Sequence, residues 1–275
     1  MKLFKRRREC RRGYSAAVVS DVGCLRRNNE DNYLLAQQIN EDCARHSEAH
    51  RDGQVTGWNL AGVFDGMGGG EQGEIAARLA AQAFRRAAER LADEVSGEVA
   101  EGILRRAFQE ANNCVAALRE QWGLCGTTGT VVCTDGKVFK IFHMGDSRAY
   151  LLRNGALFQL TRDQTLAQLK LETGAYREGD PRIEHDRNKL TEYIGRDETR
   201  NGIRPAESRW ISVAAGDSIL LCSDGLYDLC GDGEILALLN RGSDCRERAA
   251  LLVGKAMERG GIDNVTCLCM EFMQG

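Results

Sequence analysis

The sequence predicts an α+β domain in which antiparallel strands are interleaved with two pairs of helices. Three observations carry this. Short apolar runs end abruptly in Asp-Gly, Asn-Gly or Gly-Asp, the punctuation of tight turns between strands. Between residues 71 and 122 the apolar spacing switches to steps of three and four over two consecutive long stretches. A second pair of helical stretches lies between Asp232 and Arg259. The 275 residues hold no repeat and no internal linker, so a single domain is expected.

The first strand is expected over residues 14–20, closed by Asp21-Val22-Gly23, and the second over residues 32–36. Residues 37–57 are polar and unpatterned and read as an exposed loop, with His46 and His50 as solvated surface residues rather than metal ligands. Leu60 to Phe64 reads as a buried strand that stops at Asp65 and breaks into Gly66, Gly68, Gly69 and Gly70. Glycine there lets the backbone, including the Gly66 carbonyl, approach a ligand closely. Residues 71–91 place Ile75, Leu79, Ala83, Phe84 and Ala87 on one helical stripe, and residues 98–122 do the same with Leu104, Phe108, Ala111, Val115 and Trp122. Two such helices in succession form an antiparallel pair lying on a sheet.

Hairpins follow at 130–134 with 138–144, across Asp135-Gly136, and at 148–152 with 156–160, across Asn154-Gly155. His143, inside a strand, reads as a satisfied core residue. Residues 161–207 are irregular and charged, with a short helix at 165–173 and a mobile stretch beyond it. Residues 210–213 and 218–222 read as a third hairpin around Ala214 to Asp217. Helices over 232–239 and 245–259 precede Gly260-Gly261, which cap the second one, and a closing strand spans 265–272.

Hydrophobic residues make up 43% and charged residues 28%, an ordinary globular composition, and no apolar run is long enough to span a bilayer. Residues 1–12 carry seven Lys or Arg against Glu9, too little apolar surface to fold alone; they are expected to be a disordered basic arm able to contact an acidic surface. The remainder holds 30 basic against 39 acidic residues, which argues against a nucleic-acid groove. The 11 cysteines form no C-x-x-C pair, and several lie in apolar runs, which fits a reducing cytoplasm better than a disulfide framework.

Five acids stand at strand ends: Asp31, Asp65, Asp146, Asp224 and Asp263. One aspartate beside a glycine is a turn; five, each abutting an apolar run and with no matching His or Cys, describe a hard-cation site. Such acids repel one another unless cations neutralise them. A pair of such ions suits in-line displacement at phosphorus. Arg26, four residues before Glu30, is placed to hold phosphate oxygens.

With these residues in view, the chain resembles the metal-dependent protein phosphatase (PPM, type 2C) family in its compact bacterial form. The motifs are Arg26-x-x-Asn29-Glu30-Asp31, Asp65-Gly66-Met67-Gly68-Gly69, Gly126-Thr127-Thr128, Gly145-Asp146-Ser147-Arg148, Ser223-Asp224-Gly225-Leu226-x-Asp228 and Asp263-Asn264, in family order. The resemblance implies a four-layer α-β-β-α sandwich, two antiparallel sheets flanked by antiparallel helix pairs, over residues 13–275. It implies a serine/threonine phosphatase that attacks phosphoproteins with a metal-activated water, using two manganese or magnesium ions and a weaker third. Asp65 matches the bridging carboxylate with the Gly66 carbonyl beside it, Asp224 and Asp263 the other ligands of the first ion. Glu30 and Asp31 match the acids of the second, and Asp146 and Asp228 those of the third. Arg26 matches the phosphate-binding arginine, making Arg26, Asp65 and Asp224 the catalytic set. Met67 stands where many eukaryotic relatives carry a histidine, and bacterial ones commonly have this methionine. The segment 164–200, from Gln164 to Arg200, is expected to be a substrate-selecting flap. The competing readings are a non-catalytic phosphoprotein-binding regulator of the same fold and a hydrolase of small phosphoesters.

Overall fold

The computed structural model describes residues 13–55, 57–68, 72–91, 95–197 and 202–273. The basic arm, Gly69-Gly70 and the last three flap residues, 198–200, lie outside them. The strands are β1 (Gly13–Asp21), β2 (Asp31–Leu35), β3 (His46–Gln54), β4 (Asn59–Met67), β5 (Gly126–Thr127), β6 (Gly129–Thr134), β7 (Val138–Met144), β8 (Arg148–Arg153), β9 (Ala156–Gln159), β10 (Ala206–Glu207), β11 (Ile211–Ser212), β12 (Ser218–Cys222) and β13 (Val265–Met273). The helices are α1 (Gln72–Arg90), α2 (Gly97–Ala116), α3 (Arg119–Trp122), α4 (Leu166–Glu172), α5 (Arg182–Asp186), α6 (Asp224–Tyr227), α7 (Asp232–Arg241) and α8 (Cys245–Glu258).

They build two antiparallel sheets, one in the order β3-β1-β13-β12-β8-β9, the other in the order β10-β7-β6-β4-β2 with β11 on β7 and β5 on β4. Three apolar layers hold the four structural layers together. Between the sheets lie Tyr14, Val18, Val63, Ile141, Leu268 and Phe272. The pair α1–α2 covers the outer face of the second sheet, where Phe64, Phe84 and Phe108 form a chain of ring contacts from strand to helix to helix. The pair α7–α8 covers the first sheet through Ile235, Leu239, Leu252, Val265 and Cys267. The expected α-β-β-α sandwich is what the chain forms.

Period-two alternation sets the functional face. On β13, Val265, Cys267 and Cys269 point to the helices while Leu268, Met270 and Phe272 point between the sheets. On β4, Ala61 and Val63 line the layer between the sheets, and Tyr33 and Leu35 do so on β2. The same parity turns Asp65 and Asp31 toward that layer, at its open end.

The structure corrects four expectations. Residues 37–57 are not all loop, because His46–Gln54 forms β3 at a sheet edge. Only Ala49 of that strand is buried, so an edge strand with one solvated face lacks the apolar alternation that would reveal it. His46 is exposed and bonds Asp21 and Glu48, as a surface residue does. The stretch expected as a single helix over 98–122 breaks after Ala116 into α2 and α3. Residues 210–213 and 218–222 do not pair: β11 adds to β7, whereas β12 lies between β8 and β13 in the other sheet. The stretch after α4 is organised rather than loose, since it contains α5 and the buried Asp186, which accepts bonds from Lys170 (2.6 Å), Lys189 (2.8 Å) and Tyr176 (2.9 Å).

Candidate active site

β2 and β4 run antiparallel with Asp31 directly opposite Asp65. The backbone around Asp65 is fixed by a threonine pair. Thr128 N and Thr127 Oγ1 donate to the Asp65 carbonyl at 2.8 and 2.9 Å, and Asp65 N donates to Thr128 Oγ1 at 2.9 Å. Thr128 Oγ1 also meets Ser147 Oγ at 2.6 Å, which ties the end of β4 to the turn carrying Asp146. That turn takes the chain from one sheet to the other; Gly145 has φ +102° there, and a Cβ on it would stand 2.6 Å from the Thr128 methyl. Asp224 opens α6 at the end of β12, and its carboxyl is hydrogen-bonded to that of Asp65. Gly225 is needed beside it, because a Cβ there would lie 2.0 Å from the Asn264 carbonyl oxygen. Five strand ends from two sheets therefore bring Asp31, Asp65, Asp146, Asp224 and Asp263 to one rim.

The electrostatics follow from that crowding. Burial, with the charges of Asp224 and Asp263 behind it, pushes Asp31 up to about 7 against the hydrogen bonds from Ser223 and Thr266. Burial and Asp263 lift Asp224 to about 6, and burial with Asp224 holds Asp65 and Asp146 well above the carboxylate range. Glu30 is pushed up to about 7, chiefly by burial, with Arg26 pulling it down and Asp263 and Glu74 pushing it up. Its carboxylate lies against the start of α1, where a Cβ on Gly73 would be 2.4 Å from Glu30 Oε2.

Asp31 Oδ2 accepts from Ser223 Oγ at 2.6 Å and Thr266 Oγ1 at 2.7 Å, whereas its Oδ1 is buried with no partner. A buried, uncommitted carboxylate oxygen facing other carboxyls suits a hard cation, and every donor at the rim is oxygen. Among the described residues no three His, Cys, Asp or Glu side chains already stand in a metal-holding arrangement. Two of the acids are turned to arginines: Arg26 Nη2 donates to Asp263 Oδ2 at 2.6 Å, and Arg187 of the flap pairs with Asp228. Asp228, expected beside Asp146, is thus engaged by the flap.

Sequence reasoning missed the residues that hold the acids. Thr127, Thr128, Ser147, Ser223 and Thr266 do so with hydroxyls. Asn264 accepts from Glu30 N at 2.8 Å and donates to the carbonyls of Val22 and Asn28 at 2.9 and 3.0 Å. Gly126-Thr127-Thr128 and Asp263-Asn264 were visible as motifs, but hydroxyl and amide contacts leave no periodic signal. The flap is rooted beside Asp146, where Gln164 N donates to Gly145 O and Gly145 N to Gln164 Oε1, both at 2.8 Å. It returns through Ile194, bonded reciprocally to Thr127, and through Asn112, which accepts from Gly195 N and Arg196 N at 2.7 and 3.0 Å.

Residues 36–242 match the protein phosphatase 2C family. The chain belongs to that family. Over 259 residues it is 32% identical to the serine/threonine protein phosphatase PstP of Mycobacterium tuberculosis, an alignment covering 93% of this chain and 44% of PstP, so the chain spans less than half of that relative. It is 29% identical over 256 residues to the serine/threonine phosphatase stp of Listeria monocytogenes, with 92% and 93% covered. The crystal structure of the PstP catalytic domain in complex with two manganese ions superposes with a TM-score of 0.76 at 30% identity, covering 96% of this chain and 100% of that one. The phosphatase 2C fold accounts for the four layers, and the acidic rim lies at the open end of its central layer.

Proposed function

We propose that the chain is a metal-dependent protein serine/threonine phosphatase. The observation that carries this is the rim itself: five aspartates from two sheets, with a buried, partnerless Asp31 oxygen among them and an arginine at the edge. Asp65 with the Gly66 carbonyl, Asp224 and Asp263, and Glu30 and Asp31 would hold two ions, manganese or magnesium, and Asp146 with Asp228 a weaker third. Bound there, the ions would supply Lewis-acid polarisation of the phosphoryl group and a nucleophilic water at neutral pH. The two-manganese PstP domain supports this reading.

Arg26, half-exposed, presents a planar fork to the phosphoryl oxygens, and Asp263 orients it. Met67 has no proton to give the leaving oxygen, which takes one from solvent. The flap, with Arg187 reaching the rim from outside, is the part of the molecule a polypeptide substrate meets first. Phosphorylated proteins are the substrates that suit such a rim. Among the described residues no helix is long and apolar enough to cross a membrane.

The test is turnover of p-nitrophenyl phosphate and of phosphothreonine peptides, with calorimetric counting of bound manganese. Two tight ions are expected, activity is expected to vanish on chelation, and Asp65→Ala is expected to lose roughly a thousandfold or more. Full activity in chelator, or in Asp65→Ala, sinks the reading. Efficient hydrolysis of nucleotides but not phosphopeptides would move it to the small phosphoesters.

A further inference from the structure

We infer that Leu25 and Ile262 form an apolar lip beside Arg26, which selects phosphopeptides carrying a bulky aliphatic residue next to the phosphorylated serine or threonine. This rests on the phosphatase reading and adds a specificity that the carboxylate rim does not contain. Leu25 is 70% exposed and Ile262 48%, among the few large apolar side chains left to solvent in the described residues. Leu25 directly precedes Arg26 and Ile262 directly precedes Asp263, and those two neighbours form the 2.6 Å ion pair at the edge of the rim. Each exposed apolar residue is therefore one position from a partner in that pair.

The base beneath them is rigid. Cys24 N donates to Gly261 O at 2.7 Å. Gly23, at φ +77°, packs so closely that a Cβ would lie 2.3 Å from Asp263 O and 2.6 Å from Gly261 O. Asn264 ties both loops together through Val22 and Asn28. Beneath Gly261 the nearest side-chain atoms are the sulfurs of Met257 and Cys24, which continue the apolar surface under the lip. A single exposed leucine needs no explanation. Two large aliphatic side chains held on clamped loops at the edge of a charged site are a place for an apolar partner. With the phosphoryl group on Arg26, the next residue of an extended peptide stands one Cα step away, about 3.8 Å, which is the reach of the lip.

The experiment uses the full chain with manganese. A phosphothreonine peptide with Leu or Ile on either side of the phosphoresidue is compared with its Ser counterpart, and p-nitrophenyl phosphate is the control. The wild type is expected to favour the aliphatic peptide through a lower KM, by roughly tenfold. Leu25→Ser/Ile262→Ser is expected to erase that preference while keeping kcat on the peptides, turnover of p-nitrophenyl phosphate and the melting temperature. Leu25→Met/Ile262→Leu is expected to restore it. Phosphopeptide turnover without an aliphatic preference, or a preference that survives the double serine variant, overturns the lip and leaves the phosphatase reading standing. No phosphopeptide turnover at all takes down both.

Discussion

Removing the charge of Asp31 should stabilise the cation-stripped protein while destroying its function, and the structure gives the sign and the size. Asp31 is 1% exposed, its Oδ1 has no partner, and burial among acids pushes its carboxyl up to about 7. A carboxyl whose folded value lies above its unfolded one stabilises the fold below the unfolded value, and that contribution is lost as pH rises through the folded value. The window here runs from about pH 4 to about pH 7. One proton so held is worth about 1.4 kcal/mol per pH unit, so between pH 5 and pH 8 the stripped protein should lose about 3 kcal/mol of stability. For a chain this long that is about 6 °C in Tm. His143 runs the other way: burial lowers it to about 4, so its contribution is lost as pH falls from about 6.5 to 4, partly masking the slope at the acid end.

Asp31→Asn separates the two. Its side-chain oxygen can still accept from Ser223 and Thr266, and an amide replaces the partnerless oxygen. Thermal unfolding in chelator at pH 5, 6.5 and 8 should show the wild type falling and the variant nearly flat or rising, with the variant the more stable at pH 8. Manganese should rescue the wild type at pH 8 and leave the variant largely unmoved. A stripped wild type as stable at pH 8 as at pH 5, or a variant that loses stability with pH as steeply, would show that the rim carries no repulsion for a cation to relieve.

Asn112→Ala should cost about 2–4 kcal/mol, because it leaves the amides of Gly195 and Arg196 without their buried acceptor, and chemical denaturation reads this directly. The same variant should open the flap's return to proteolysis near Arg196 while the sheets stay protected; uniform protection would mean that Asn112 does not anchor the flap. Cys222, fully buried with its thiol pushed up to about 12 by that burial, should resist alkylation in the native protein, and Cys222→Ser should keep its turnover. Rapid inactivation by a thiol reagent that spares Cys222→Ser would give this thiol a role that the carboxylate rim does not need.

What the sequence shows and what it hides divide along one physical line. A strand that ends in an acid is legible because the apolar run, the charge and the following glycine are neighbours in the chain; Asp65, Asp146 and Asp224 could be read that way, and so could the helix pairs from their spacing. β3 was illegible because its residues answer to solvent on one face and to a sheet edge, and only Ala49 is buried. The separation of β11 from β12 into different sheets was illegible too, because Ala214 to Asp217 turn the chain either way and the partners that decide lie at Phe139 and Cys267. The shell around the acids belongs to the same class. Thr266 bonds Asp31 across 235 positions and Arg187 reaches Asp228 across 41, so neither contact leaves a mark on its local sequence. The chemistry-bearing acids are fixed by local rules, and the groups that aim and restrain them by the packing of two sheets. A phosphatase 2C chain whose motifs are intact can therefore lose its site through changes at Thr128, Ser147 or Thr266, none of which is an acid.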